Sequence, residues 1–411
     1  MPKDHQELMN EVLKHVEVAP AAKPSPKVKA EGSPLKEPHE RLAEVLKCLD
    51  KSKVLNIFMH NRPDPDTMAC ALALEKIANH FGQNCRVFYS QESDFLTNRL
   101  VMNMLSLPFT KLESLESPED VVGKMDYVAL VDVAGPDKVS YYELLESKVV
   151  IDIDHHNGVK AMDVPGRFFY RKSCGACTSI LIDWLDKIGI TLNADLDKPL
   201  VLAAYLGIKV DTSSFAEKSM DKLDRDAKKN IEIGITDEDY KLLYEIENPE
   251  VPLAWSKKLG EVLLNFPSGK SDLFYHGIGV VDETGVIPYI AEEIFKRRNF
   301  STVIIYGICY RVAEGKVAEI KVKAAGRSRD NSLNLSEAFS EVFYKRTEDG
   351  KRIHRGGGRK STVAFVSYAG ADIPLDEENE LNPDGMQKLY ELWDRKINSR
   401  VETVFKTSKK E

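Results

Sequence analysis

The stretch Val149-Val150-Ile151-Asp152-Ile153-Asp154-His155-His156 constrains this chain more than any other. An apolar run of this kind suits a strand covered on both faces. It nevertheless ends on three consecutive ionisable groups, Asp154, His155 and His156. Taking such groups out of water is costly unless partners are supplied. The pattern recurs along the chain. An apolar segment over 54–60 runs into His60 and then Asp64 and Asp66. Another, over 127–133, carries Asp132. The helix-to-loop segment 207–215 brings Asp211. A lone Asp after a strand is ordinarily a cap or turn residue, and Asp126, Asp183 and Asp282 are read that way. Four segments delivering the same kind of side chain call for a common cause.

The segments 54–60, 85–90, 127–133 and 148–154 are continuous apolar runs, as expected of parallel strands with helices on both sheet faces. Amphipathic helical patterns over 67–82, 178–189 and 197–212 alternate with them. The alternation predicts an α/β fold with a doubly wound, mostly parallel sheet. Ligands of such sheets sit beyond the carboxyl ends of the strands, where these acids and histidines fall. The organisation expected is a disordered Pro- and Lys-rich tail over 1–38 and a metal-binding catalytic domain over 40–217. A charged helical linker over 218–270 and a smaller α/β domain over 271–372 follow, and then a C-terminal helical tail over 373–411.

Five acids, Asp64, Asp66, Asp132, Asp154 and Asp211, gathered at one sheet edge would repel one another unless cations sat among them. Imidazole and carboxylate together suit manganese or a similar divalent ion. Two such ions about 3.5–4 Å apart activate water and stabilise an in-line phosphoryl displacement. The formal net charge of −8 argues against a sequence-blind grip on long nucleic acid, which needs a basic surface. A short nucleotide in a locally basic pocket stays compatible with it. Of six cysteines only Cys174-Gly-Ala-Cys177 has metal or redox spacing, and no second such pair completes a zinc site. The segment reads as a helix start, with redox chemistry as the minor alternative. No stretch is long and apolar enough to span a membrane, and the N-terminus lacks a signal core, so a reduced, cytoplasmic setting is expected.

The segments His60-Asn-Arg-Pro-Asp-Pro-Asp66, Val131-Asp-Val-Ala-Gly135, Ile153-Asp-His-His-Asn-Gly158 and Val210-Asp-Thr-Ser-Ser-Phe215 resemble, in order, the four motifs of the DHH phosphoesterase superfamily. Gly326-Arg-Ser328 and Arg355-Gly-Gly-Gly-Arg-Lys360 resemble the DHH-associated domain that accompanies it in nanoRNases, RecJ-like exonucleases and cyclic dinucleotide phosphodiesterases. The resemblance runs over about residues 50–372. It implies two divalent metal ions, Mn2+ first, with Mg2+ or Co2+ as alternatives. By similarity His60 and Asp64 would hold one ion with Asp211 completing its site, Asp66 and His155 would hold the other, and Asp132 would bridge. Asp154 would orient a histidine, and His156 would face the substrate phosphate as donor or acid. Arg327, Ser328 and the backbone of Gly356, Gly357 and Gly358 would hold a substrate phosphate, the small domain closing over the first.

Two departures bear on substrate rather than metal. Arg359 stands where the family usually has a histidine, and motif I has Pro65 between its aspartates and Met68-Ala69-Cys70 after them. The implied activity is metal-dependent hydrolysis of a short RNA or DNA oligonucleotide, a linear or cyclic dinucleotide, or a nucleotide bisphosphate, without membrane involvement. Whether the chain forms a homodimer is left open. A catalytically idle nucleotide-binding regulator is the alternative, supported by the altered glycine motif. A pyrophosphatase reading is opposed by the C-terminal Gly-Arg-Ser and Gly-Gly-Gly-Arg pairing. If Arg359 grips a terminal phosphate, Arg359→Ala should raise KM about tenfold or more while kcat falls much less. Steady-state kinetics check this, and a KM within about twofold of wild type would overturn the clamp.

Overall fold

Strands with two apolar faces are stable only side by side under helices, and the first apolar segments do pair in that way. The computed structural model describes residues 36–156, 166–193, 195–265, 272–297, 300–313, 316–330, 332–346, 352–353, 355–359, 362–368 and 383–407. Most of the expected tail and Lys360 lie outside the described residues. Strands β1 (Leu55–Phe58), β2 (Cys85–Tyr89), β3 (Thr110–Lys111), β4 (Tyr127–Val131), β5 (Val149–Asp154) and β6 (Phe168–Arg171) form one sheet. Its order is β3-β2-β1-β4-β5-β6, and every pairing is parallel. The chain winds outward from β1 to β3 and then, on the other side, from β4 to β6. The order therefore reverses between β1 and β4, and a crevice opens at their carboxyl ends. His60 lies just beyond β1, and Asp132 directly follows β4.

Helices α1 (Pro38–Cys48), α2 (Pro65–His80), α3 (Leu96–Met104), α4 (Cys177–Ile188) and α5 (Lys198–Asp211) belong to this layer. The small side chains of α2 explain its central place. Ala69, Cys70, Ala71 and Ala73 are fully buried, together with Met68 and Leu74. Gly207 lets α5 cross close over the start of α2, since a Cβ there would stand 2.8 Å from Asp66 Cα and 3.0 Å from the Pro65 carbonyl oxygen. Asp211 is one turn further along α5, on the same face as Gly207. The crossing thus carries Asp211 towards Asp66.

The charged stretch expected to link two domains largely joins the first core. Helices α6 (Lys222–Glu232) and α7 (Asp237–Glu247) bury Ala227, Ile231, Leu243 and Ile246 there. Both begin with capping boxes, Asp221 with Asp224 and Thr236 with Asp239. Helix α8 (Leu253–Leu264) instead buries Trp255, Leu259 and Val262 against the second sheet.

That sheet contains β7 (Leu273–Val281), β8 (Thr302–Ala313) and β9 (Lys316–Ser328). After the small hairpin β10 (Lys345–Arg346) and β11 (Arg352–Ile353) come β12 (Arg355–Arg359) and β13 (Thr362–Tyr368). The sheet order is β12-β13-β9-β8-β7, with only β7 and β8 parallel. Alternate residues of β8 face opposite ways. Val303 and Ile305 meet helix α9 (Val286–Arg297), while Ile304 and Tyr306 meet α10 (Leu335–Val342) and α11 (Pro383–Thr407). The C-terminal helix is therefore a layer of the second core. Its stripe of Met386, Leu389, Trp393, Ile397 and Val401 is buried, and the Tyr306 hydroxyl donates to Asp394 at 2.6 Å. Gly356, Gly357 and Gly358, whose backbone the resemblance assigns to a substrate phosphate, lie in the edge strand β12 opposite Phe365, Ala364 and Val363.

No described helix is long and apolar enough to cross a membrane. Gly207→Ala should lower stability by about 1–3 kcal/mol, because the added methyl meets backbone that cannot turn aside. Urea unfolding checks this, and an unchanged unfolding free energy would overturn the close crossing.

Candidate metal centre and the adjoining cleft

Residues 60–66 leave β1 and open α2. Asp64 is the N-cap, its Oδ1 accepting from the backbone N–H groups of Asp66 and Thr67, each at 3.1 Å. Pro65 at the first helical turn lacks only an N–H the helix would not have used. The second Asp64 oxygen lies 3.6 Å from His60 Nε2. Burial works against ionising Asp64, yet the two N–H donors and the His60 ring in its charged form outweigh it and bring its pKa to about 2. His60 Nδ1 lies 2.9 Å from the Asn61 carbonyl oxygen. A carbonyl can only accept, so the proton belongs on Nδ1 and Nε2 presents its lone pair.

Asp66 reaches across to α4. Its Oδ2 accepts from the Cys177 N–H at 2.8 Å and its Oδ1 from the Thr178 N–H at 2.9 Å. This explains Cys174-Gly-Ala-Cys177, whose place is a helix start holding a carboxylate. Burial pushes the Cys70 thiol up to about 12 and those of Cys174 and Cys177 well above their ordinary value, which fits structural cysteines.

Asp132 takes a left-handed conformation, with φ of 54°. Its Oδ1 lies 3.4 Å from His155 Nε2, and its Oδ2 lies 3.9 Å from His60 Nε2. Burial drives the Asp132 carboxyl well above its ordinary pKa, and Asp66, Asp64 and Asp211 push it the same way. His155 repeats the His60 design. Its Nδ1 lies 3.1 Å from the Cys174 carbonyl oxygen. Its Nε2 faces Asp132, Asp211 at 3.5 Å and Asp66 at 4.0 Å. His155 Nε2 and Asp132 Oδ1 are both buried without a hydrogen-bond partner.

Among the described residues three sets of donors emerge, one of them Asp132, Asp154, His155 and His156. His60, Asp64 and Asp132 offer atoms within 4.8 Å of one another, and so do Asp66, His155 and Asp211. The resemblance had assigned Asp211 to the set of His60 and Asp64. The structure groups it with Asp66 and His155, because the crossing at Gly207 brings the last turn of α5 against Asp66. Asp211 ends α5, where the helix dipole disfavours a carboxylate. Acceptors facing acceptors in a buried pocket of nitrogen and oxygen donors fit a divalent metal ion.

Asp154 lies beneath this cluster. Its Oδ1 accepts from the His155 backbone N–H and from His156 Nδ1, each at 2.8 Å, while the His156 side chain is 47% exposed. Two supports escaped the sequence reading. Asp224 is fully buried and accepts from Gly175 N–H at 2.8 Å, Ala176 N–H at 3.2 Å and the Ser179 hydroxyl at 2.7 Å. It thereby fixes the loop whose Cys174 carbonyl holds His155. Arg171, on β6, pairs with Asp152 and approaches Asp154. The Asp221/Asp224 spacing predicts only a helix cap, and nothing in the sequence links it to residues 174–176.

The expected phosphate-binding residues divide. Arg327 lines a cleft of about 830 Å3 together with Asp64, Phe95, Trp255, Tyr289 and Glu292. Its Nε donates to Glu292 at 2.6 Å and its Nη1 to the Gly326 carbonyl at 2.9 Å. Ser328 is buried in the sheet with its hydroxyl 2.9 Å from that of Thr302, so it is tied to the strand rather than turned to a ligand. By register Arg359 is opposite Thr362, which is opposite Arg327, placing the two arginine backbones about 10 Å apart across two strand spacings. Beside the cleft, Asp94 joins both sheets by pairing with Lys323 of β9 and, at 3.4 Å, with Arg62 of motif I.

Glu292 is held below its ordinary 4.5: burial raises it, but Arg327 and then Lys296 outweigh that. A depressed acid contributes stability above its unfolded pKa and loses it as the pH falls through the folded one. Glu292→Gln should thus be less stable than wild type near about pH 7, with the gap closing as the pH drops below about 4.5. A gap that does not change over that range in urea titrations would show that the pair does not contribute in this way.

The comparisons with known proteins agree with this geometry. The N-terminal domain of the DHH family matches residues 54–208. An uncharacterized protein of Methanocaldococcus jannaschii is 28% identical over 330 residues, covering 79% of this chain. The chain spans 59% of that relative's length. The crystal structure of an exopolyphosphatase-related protein from Bacteroides fragilis is 13% identical, covers 89% of this chain and 97% of its own, and superposes with a TM-score of 0.60, which shows a shared fold. Residues 54–208, which carry the first three of the four motifs, thus match the N-terminal domain of the DHH family, and the fourth motif, over 210–215, follows directly.

Proposed function

We propose that this chain is a divalent-metal-dependent phosphoesterase acting on short oligonucleotides or (di)nucleotide phosphates. The observation that carries this reading is the pair of buried, unpartnered acceptors His155 Nε2 and Asp132 Oδ1, aimed at one another among further carboxylates. His60, Asp64 and Asp132 would hold one ion, and Asp66, His155 and Asp211 a second, with Asp132 shared. Mn2+ is the proposed ion, with Mg2+ or Co2+ as alternatives. Such ions, when bound, make water a nucleophile near neutral pH and take up charge on the phosphoryl oxygens.

The chain's own residues supply the rest. Asp64 and Asp66 are immobilised by helix N-termini, so the centre is set before substrate arrives. Asp154 fixes His156 through Nδ1, which leaves Nε2 to face the phosphate, and the ring gives a proton from Nε2 to the leaving oxygen only when it is doubly protonated. Arg327, the backbone N–H groups of Gly356, Gly357 and Gly358, and Arg359 would receive an anionic end of the substrate. Ser328 drops out of that set, because its hydroxyl is spent in the sheet. The cleft of about 830 Å3 is of a size for a small nucleotide. Phe95 and Tyr289 on its wall offer rings on which a base of any identity could stack.

The test is a manganese-dependent hydrolysis panel of short RNAs, linear and cyclic dinucleotides and 3′-phosphoadenosine 5′-phosphate. At least one should be turned over, and Asp132→Ala should lose at least one bound metal and about 100-fold or more of the rate. Wild-type metal content and turnover in that variant would overturn the assignment.

A further inference from the structure

Asp152 and Arg171 have no part in the function proposed above, yet they are built into the same strands as His156. Asp152 and Asp154 are alternate residues of β5 and share a face. Strand β6 runs parallel beside it, with Arg171 in register with Asp154. Arg171 grips Asp152 with both ends of its fork, Nη1 to Oδ1 at 2.7 Å and Nη2 to Oδ2 at 2.6 Å. Bidentate pairing fixes the plane of the guanidinium as well as its position. The same group then presents Nε to Asp154 Oδ2 at 3.5 Å, an ion-pair contact rather than a hydrogen bond. The opposite Asp154 oxygen holds the His155 backbone N–H and His156 Nδ1.

A continuous line thus runs from Asp152 through Arg171 and Asp154 to His156. Its side-chain exposure falls from 18% and 14% to 2% at Asp154, and the line ends on the imidazole at 47%. Strand β6 is itself pinned, since Tyr170 and Phe168 pack edge-on against Trp184 of α4 at 5.0 and 5.7 Å between ring centres. The guanidinium is therefore fixed at both ends, by its fork on Asp152 and by the packing of its own strand.

We infer that Arg171, held by Asp152, is a positioning residue for His156. Acting through Asp154, it keeps that carboxylate aimed so that the His156 Nδ1–H stays bound and Nε2 remains the free nitrogen. The inference rests on the reading that His156 acts on the substrate phosphate. The competing account is that the Asp152–Arg171 pair only fastens the edge strand β6 to the sheet.

Four variants separate the two accounts on the metal-loaded full chain: Arg171→Gln, Arg171→Lys, His156→Ala, and Arg171→Gln combined with His156→Ala. Arg171→Gln should lower kcat about tenfold or more with KM within about twofold. Arg171→Lys should recover part of the loss, keeping the charge without the fork. In the His156→Ala background, Arg171→Gln should cost less than about twofold more, because the two act as a unit. Nitrogen NMR of labelled histidine should show His156 protonated at Nδ1 in the wild type and a mixture of tautomers in Arg171→Gln. Losses that multiply in the double variant, or a His156 tautomer untouched by Arg171→Gln, would overturn the positioning role. A wild type that hydrolyses nothing in the panel, while the tautomer still depends on Arg171, would defeat the catalytic reading and leave the positioning of His156 standing.

Discussion

Mutual repulsion among Asp64, Asp66, Asp132 and Asp211 is the constraint around which the first domain is built. Each carboxylate stands at a point where the chain changes element: a helix start, the end of β4, or the end of α5. Two of the four are steadied by backbone N–H groups, Asp64 by its own helix and Asp66 by the start of α4. Asp132 Oδ1 has no hydrogen-bond partner, and burial with its neighbours pushes this carboxyl far up. Two imidazoles with their protons directed to carbonyls cannot relieve that excess while neutral. A cation among them can.

Around this centre lies a second layer whose purpose is orientation. Asp224 grips the loop 174–176, and the Cys174 carbonyl in that loop holds His155. Gly175 permits the grip, since a Cβ there would come within 2.5 Å of Asp224 Oδ2. Asp154 does for His156 what the Cys174 carbonyl does for His155. The two histidines of one dipeptide thus point to different tasks: His155 is sunk among acids, whereas the His156 side chain is 47% exposed.

The second sheet meets the first at Asp94, which draws Lys323 from β9 and Arg62 from motif I to one carboxylate. Burial pulls the Lys323 ammonium below its ordinary value although Asp94 pulls it up, and Asp94 is kept low against its own burial. Such a pair is costly to break one side at a time, so it favours one setting of the two sheets over a loose hinge. The cleft beside it carries Arg327 already paired to Glu292. An incoming anion would therefore meet a guanidinium that is oriented and half neutralised in advance.

The sequence by itself determined what repeats locally. Apolar runs, helical periods and the order of the four motifs are properties of neighbouring residues, and they were enough to predict the parallel sheet, its ligand edge and six of the residues gathered there. The resemblance implied that Asp154 orients a histidine, and Asp154 Oδ1 lies 2.8 Å from His156 Nδ1. Tertiary structure decided what depends on contacts between distant segments. Gly207 against Asp66 moved Asp211 to the set of His155, Ser328 turned out to be tied into its sheet, the glycine triplet became an edge strand, and the terminal helix became a core layer. The supports at Asp224 and Arg171 stayed hidden for the same reason. Each acts across a fold of the chain, Asp224 on a loop 49 residues away, and periodicity along a sequence carries no record of which distant surfaces will meet.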